Sequence, residues 1–334
     1  MKAKFSEVLT IINGRNQRAV ENPDGKYPIY GSGGIMGYAD EYLCEPETVI
    51  IGRKGNINKP IFVETPFWNV DTAFGLSADR EKLFPKYLYY FCEAYNFEKL
   101  NTTVTIPSLT KVNLLKVEMP LPDLEKQKNI SERLTLADDA VNTCNALLCE
   151  LEEIVRARFA EMFGDPETNP REWKKNALAD VITNANNGMA RRGKDEWGNI
   201  VLRLVELQDG YIDYSNPNRI ALSDEEKKRY LLKDKDFLFA RVNGNPNNVG
   251  RCAVFTDIGE PVYHNDHIIR VHFDDNILDG TFASALINSA YGKRQLKNQI
   301  KTSAGQYTVS QDGIGAIVAI LPPIELQREF AAFV

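Results

Sequence analysis

Three stretches of this chain concentrate side chains that recognise other molecules through directed hydrogen bonds: GRKGNINK (52–59), NANNGMARRGK (184–194) and ARVNGNPNNVGR (240–251). Arginine and asparagine are the residue types that engage the edges of guanine and adenine at two points in the major groove of DNA. Asparagine and glycine also make turns for purely local reasons, so each stretch alone reads as a loop. Recurrence ties them together. Arg53 with Lys54, and Arg241, each follow a short apolar run, ETVIIG in one case and DFLFA in the other. The candidate contact residues are therefore Arg53, Lys54, Asn56 and Lys59 in the first loop, with Arg241, Asn243, Asn245, Asn247 and Arg251 in the second. Arg191 and Arg192 join them as phosphate or base contacts, and Gln306 and Tyr307 come from a later polar stretch.

Bond-making chemistry finds no comparable support. YGSGGIMGY carries Gly31, Gly33, Gly34 and Gly37, but a phosphate loop needs a helix directly after it, and here another strand-like stretch follows without GKS or GKT. A turn is expected there. The only histidines are His264, His267 and His272; in an alternating strand the last two would point to opposite faces, and no cysteine lies near. A GxSxG elbow, an HExxH helix and the Asn/Asp-Pro-Pro-aromatic loop of amino-methyltransferases are all absent. No catalytic residue and no metal ligand is assigned.

The elements that would position these loops repeat. LPDLEKQK begins at 121 and LPPIELQR at 321, so Leu, Pro, Glu and Gln recur at an offset of 200. That is too long for a solenoid unit, which runs to about 20–50 residues, and fits a domain plus a connector. Arg53/Arg241 and Asp71/Asp266 recur at offsets of 188 and 195, as small loop insertions would produce. PIFVETPFWNVDTAFGLS reads as two strands joined by a turn, answered by CAVFTDIGEPVYHNDHIIRVHF. Each copy then has a helix (PKYLYYFCEAYN; GTFASALINSAYG), a polar stretch (NTTVTIPSLT; KTSAGQYTVS) and a last strand before the Leu-Pro helix start. The chain is read as an internal duplication.

Between the copies, apolar residues fall at Ile130, Leu134, Ala137, Val141, Cys144, Leu148, Leu151 and Val155, alternating steps of four and three. That is the seam of a coiled coil, with Asp123 as N-cap and Gly164 followed by Pro166 as the stop. Some 40 residues at about 1.5 Å each would make a rod of roughly 60 Å. Ile130, Leu134, Val141, Leu148, Leu151 and Val155 are the expected helix-pairing residues.

The chain has 334 residues and a formal charge of −6, enough length for two domains. The charge is uneven: 1–120 balance at zero, 121–165 carry −5 and 166–334 carry −1. The acidity belongs to the helix, so the sum does not exclude DNA. No apolar run approaches the roughly 20 residues of a membrane span. Five cysteines without a CxxC pair are expected to be reduced thiols in a cytoplasmic protein.

Two variable domains separated by a helix that LPDLEKQK opens and ARFAEMFGDPETNPREW closes resemble the specificity (S) subunit of a type I restriction-modification system. The junction Phe163-Gly164-Asp165-Pro166, with Asn169 and Trp173, is the most specific part. The resemblance implies an α+β fold: two mixed α/β target-recognition domains with twisted sheets (1–120 and 166–320), a long spacer helix (121–165) and the start of a second helix (321–334). It implies a non-catalytic reader of a bipartite site in double-stranded DNA, docked on two methyltransferase (M) subunits that carry S-adenosylmethionine and methylate adenine at N6. Restriction (R) subunits would join. The family's second helix packs antiparallel on the first. Here the chain stops about two turns into it, so either a truncation or a homodimer through the unpaired helix is expected. Two readings stay open beside this one: the specificity subunit of another bipartite methyltransferase system, and a coiled-coil protein-interaction scaffold.

Overall fold

The computed structural model describes residues 2–101, 107–303 and 305–334; Thr102–Ile106 and Ala304, which fall in the two polar stretches noted above, lie outside them. The chain divides into two compact units, Met1–Ala146 and Leu147–Val334, and the division falls inside the long helix Leu124–Phe163. The fold is the expected α+β arrangement, with a long helix between two sheet-rich domains.

In the first unit a four-stranded antiparallel sheet has the order Leu9–Asn13, Ala73–Ala78, Thr48–Gly52, Ile61–Val63. Thr48–Gly52 is buried at every position, because the sheet is covered on both sides. One face packs on the helix Pro85–Ala94 through Val49, Ile51, Leu76, Leu88 and Cys92. A three-stranded sheet places Tyr27–Gly31 between Gly34–Ala39, antiparallel, and Trp68–Asn69, parallel. The glycine-rich YGSGGIMGY is thus a hairpin, turned by Gly34 at φ +119°.

The second unit repeats this topology. Its four-stranded sheet runs Ile182–Asn187, Ile268–Phe273, Phe237–Ala240, Cys252–Val254. Its three-stranded sheet places Asn199–Leu202 between Arg219–Ile220, antiparallel, and Val262–His264, parallel. Where two strands were expected in PIFVETPFWNVDTAFGLS there are three, because Trp68–Asn69 leaves to join the other sheet. The expected helix over GTFASALINSAYG is likewise two, Gly280–Asn288 and Ala290–Gln299, broken at Ser289, whose hydroxyl caps the second.

Equivalent residues also make equivalent hydrogen bonds. The Gln127 side chain is fully buried. Its Oε1 accepts from Phe84 N (2.9 Å) and its Nε2 donates to Lys82 O (2.9 Å) and Pro122 O (2.8 Å). Gln327, also fully buried, accepts from Asp279 N (3.0 Å) and donates to Ile277 O (3.0 Å) and Pro322 O (2.8 Å). Such a pattern requires the same backbone path on both sides of the glutamine, which supports the duplication far better than the low sequence identity does.

The long helix starts as expected: Asp123 Oδ1 accepts from Lys126 N at 2.9 Å, and Gly164 ends it at φ +77°. Near its start Ser131 Oγ donates to Gln127 O, and Tyr90 OH donates to Thr135 Oγ1, so a small polar face rests on the first domain. Near its end Phe159 and Phe163 meet Phe282 and Phe330 in the second domain's core, the last from the helix Ile324–Phe333.

Candidate nucleic-acid interface

The loop that follows the central strand is held identically in the two domains. In the first, Arg53 N donates to Thr72 O (2.8 Å), Leu109 N donates to Arg53 O (2.9 Å), and the guanidinium reaches Asp71 O (3.5 Å). In the second, Arg241 N donates to His267 O (2.7 Å), Val309 N donates to Arg241 O (2.9 Å), and the guanidinium donates to Asp266 O (3.1 Å). The arginine is thus stitched between the segment after one sheet strand and the polar stretch late in the domain. Local chemistry shapes the first loop: a Cβ on Gly52 would stand 2.3 Å from Asn56 O, so only glycine lets the chain fold back there. Arg53, Lys54, Asn56 and Lys59 are all exposed, with the Arg53 guanidinium over the Phe74 ring at 5.9 Å.

In the second domain the structure gathers several candidates on one small sheet. Val242–Asn243 pairs with Gln306–Thr308, which pairs with Lys301–Ser303, setting Asn243 opposite Tyr307 and Tyr307 opposite Thr302. Gln306, Lys301 and Thr302 are exposed. Within it, the antiparallel pair Lys301–Ser303 and Gln306–Thr308 is a two-stranded ribbon, one of the two elements the major groove admits. Lys301 and Thr302 were not among the sequence candidates; their signal was only that they begin the same polar stretch as Gln306. Beside the sheet Arg192 Nη2 lies 2.7 Å from Asp266 Oδ1 and 2.9 Å from His267 Nε2. A guanidinium only donates, so His267 Nε2 is the acceptor. Burial, and then the Arg192 charge, lower the His267 pKa, which keeps the ring neutral and able to accept.

Other candidates are turned to structural work. Asn243 Oδ1 accepts from Asn245 N (2.9 Å) and Asn245 Oδ1 from Asn247 N (3.0 Å), successive side-chain turns that occupy the oxygens a two-point adenine contact needs. Asn247 is exposed, with no bond to its side-chain amide among the described residues. Arg251 points into its own domain, donating to Gln208 Oε1 at 3.2 Å, with Nε 3.8 Å from Asp209. Arg191 is likewise committed, to Glu226 (2.9 Å) and to Ala221 O (2.6 Å). The Arg191 hydrogen bonds hold the Glu226 carboxyl at about 2, well below its ordinary value. The histidines do not converge: His264 is buried in Val262–His264 on Tyr230 O, His267 precedes the strand Ile268–Phe273 rather than lying in it, and His272 faces Asp236. Among the described residues no group of three His, Cys, Asp or Glu could hold a metal ion.

Residues 1–153 match the family described as type I restriction modification DNA specificity domain. The StySPI specificity subunit of Salmonella potsdam is 28% identical over 306 residues, covering 85% of this chain. The EcoKI specificity subunit of Escherichia coli K12 is 23% identical over 307 residues, again 85% of the chain. Over most of its length the chain is similar to type I restriction-modification specificity subunits. It spans 66% of the length of each of those two relatives. The solved S subunit from M. genitalium shares the fold, with TM-score 0.66, 17% identity and coverage of 99% of this chain and 87% of that one.

The long helix leaves most of the anticipated seam open. Leu134, Val141, Leu148 and Leu151 are 40%, 59%, 58% and 57% exposed, whereas Ile130 is half-buried and Val155 packs on the second domain's core. Leu147 and Ile154 widen the exposed apolar stripe. No helix is long and apolar enough to cross a membrane, among the described residues.

Proposed function

We propose that this chain is a type I restriction-modification specificity subunit that reads a bipartite site in double-stranded DNA, one half with each domain. The observation that carries the reading is the loop anchored by the same bonds around Arg53 and Arg241 in both domains. A duplicated frame that holds different polar loops is what two half-sites of different sequence require. Arg53, Lys54, Asn56 and Lys59 form the first contact surface. Arg192, Arg241, Asn247, Gln306 and Tyr307, with Lys301 added, form the second. Arg191, Arg251, Asn243 and Asn245 shape those surfaces through the bonds described above.

The chain itself catalyses nothing in this reading and holds no cofactor. Two methyltransferase subunits, which dock on the long helix and its apolar seam, supply S-adenosylmethionine and methylate adenine at N6; restriction subunits join that complex in the cytoplasm. The balanced charge of the domains and the acidity of the helix fit a molecule whose domains meet phosphates while its helix meets protein. Co-expression with the methyltransferase subunit of its own operon, followed by sequencing of the methylated genome, tests this. Methyl-adenine in a split motif with one fixed gap is expected. A stable complex that leaves no methylation refutes the reading.

A further inference from the structure

The two glutamine clasps stand where a helix meets its domain. Gln127 and Gln327 stand at the same place in each repeat, one turn into a helix that follows a Leu-Pro pair. Each is fully buried and spends its amide on three backbone groups. Two of those groups belong to the segment leading into a domain helix, Lys82 and Phe84 before Pro85–Ala94, or Ile277 and Asp279 before Gly280–Asn288. The third, Pro122 O or Pro322 O, lies just ahead of the glutamine's own helix. A planar amide that bonds to both sides of a joint restrains rotation about it, which apolar packing, being non-directional, does poorly.

We propose that Gln127 and Gln327 are positioning residues that fix the angle at which each recognition domain leaves its helix, and through it the gap length that the subunit accepts in a split DNA site. This rests on the DNA-reading function proposed above. The joints are anchored independently of the reading loops: the first continues into the Ser131, Thr135 and Tyr90 bonds, and the second into the contact of Phe330 with Phe159 and Phe163. Neither glutamine is near Arg53 or Arg241 in the bonding network, so the clasp governs geometry and leaves base identity alone.

The test uses the full chain co-expressed with its methyltransferase subunit, and a plasmid library that carries the chain's own methylated motif with the gap lengthened and shortened by single base pairs. Gln127→Met and Gln327→Met keep the side-chain volume and remove the amide; thermal melting of each purified complex confirms that it is folded. The expected result is an unchanged pair of half-site sequences, with methylation at neighbouring gap lengths raised about tenfold relative to the native gap, the factor that about 1.4 kcal/mol of lost discrimination corresponds to. Folded variants that keep the single native gap overturn the clasp, as does a change in half-site sequence at constant gap. A wild-type complex that methylates none of the library overturns the DNA-reading function beneath it.

Discussion

Arg241→Ala separates two roles that the structure allows one guanidinium to combine. Its bond to Asp266 O occupies a single N–H out of five, and it aims the remaining fork from a backbone already tied at both the amide and the carbonyl. A guanine edge read by that fork is worth about 1–3 kcal/mol of discrimination, a loss of roughly 5- to 150-fold in affinity for the cognate half-site. The expected outcome is that Arg241→Ala loses affinity within that range on the cognate duplex and far less on a duplex altered at the base it reads. Arg241→Lys should recover little, because an ammonium cannot hold Asp266 O and a base edge in one plane. Fluorescence anisotropy against duplexes carrying the methylated motif, each titrated with salt, provides the measurement. A base contact leaves the slope of log K against log salt unchanged, whereas a phosphate contact lowers it by about 0.9. Equal loss on every sequence together with a reduced slope would refute the assignment of Arg241 as a reader.

Gly52→Ala should destabilise the first domain by about 1–3 kcal/mol, since its Cβ would press on Asn56 O, while Gly33→Ala, with nothing within 4 Å, should be neutral in the same urea titration. The Arg191–Glu226 pair predicts acid sensitivity. A carboxyl lowered from 4.5 to about 2 adds stability that is complete above pH 4.5 and disappears as the pH falls toward 2. The stability difference between wild type and Arg191→Ala, followed by urea midpoints, should therefore close over that window; a constant difference from pH 7 to 2.5 would contradict it. Leu148→Glu, at a site 58% exposed, should change the stability of the isolated chain by less than about 0.5 kcal/mol and yet weaken association with the methyltransferase subunit in sedimentation. Unimpaired association would remove the seam from the docking surface.

How much of this was legible in the sequence depends on the range of the interaction. The long helix was, because a four-three apolar rhythm, an Asp cap and a closing glycine are all local signals. The duplication was legible at Leu-Pro-x-x-Glu-x-Gln, though the reason for the glutamine was not: its three partners lie up to 50 positions away in sequence. The loops were legible as loops. Which of their side chains face outward was not, since asparagine's turn-forming and base-reading uses draw on the same oxygen, and Arg251 and Arg191 meet acceptors, Gln208 and Glu226, that no spacing rule singles out. Splitting PIFVETPFWNVDTAFGLS between two sheets was equally hidden, because two residues suffice for the parallel pairing of Trp68–Asn69 with Tyr27–Gly31.

The duplicated frame also explains which residues were free to differ. Bonds repeated in both domains run through backbone groups: Arg53 and Arg241 are held by main-chain partners on both sides, and each glutamine clasps only amides and carbonyls. Backbone partners survive almost any substitution in the side chain that they carry. A frame built this way tolerates replacement of the exposed loop residues between its fixed points, so GRKGNINK and ARVNGNPNNVGR can diverge at those positions while the loop roots stay in register. On the proposed DNA-reading function, a frame held by side-chain pairs would have tied the two halves of recognition to the fold, and each new target would have risked the stability of the domain that reads it.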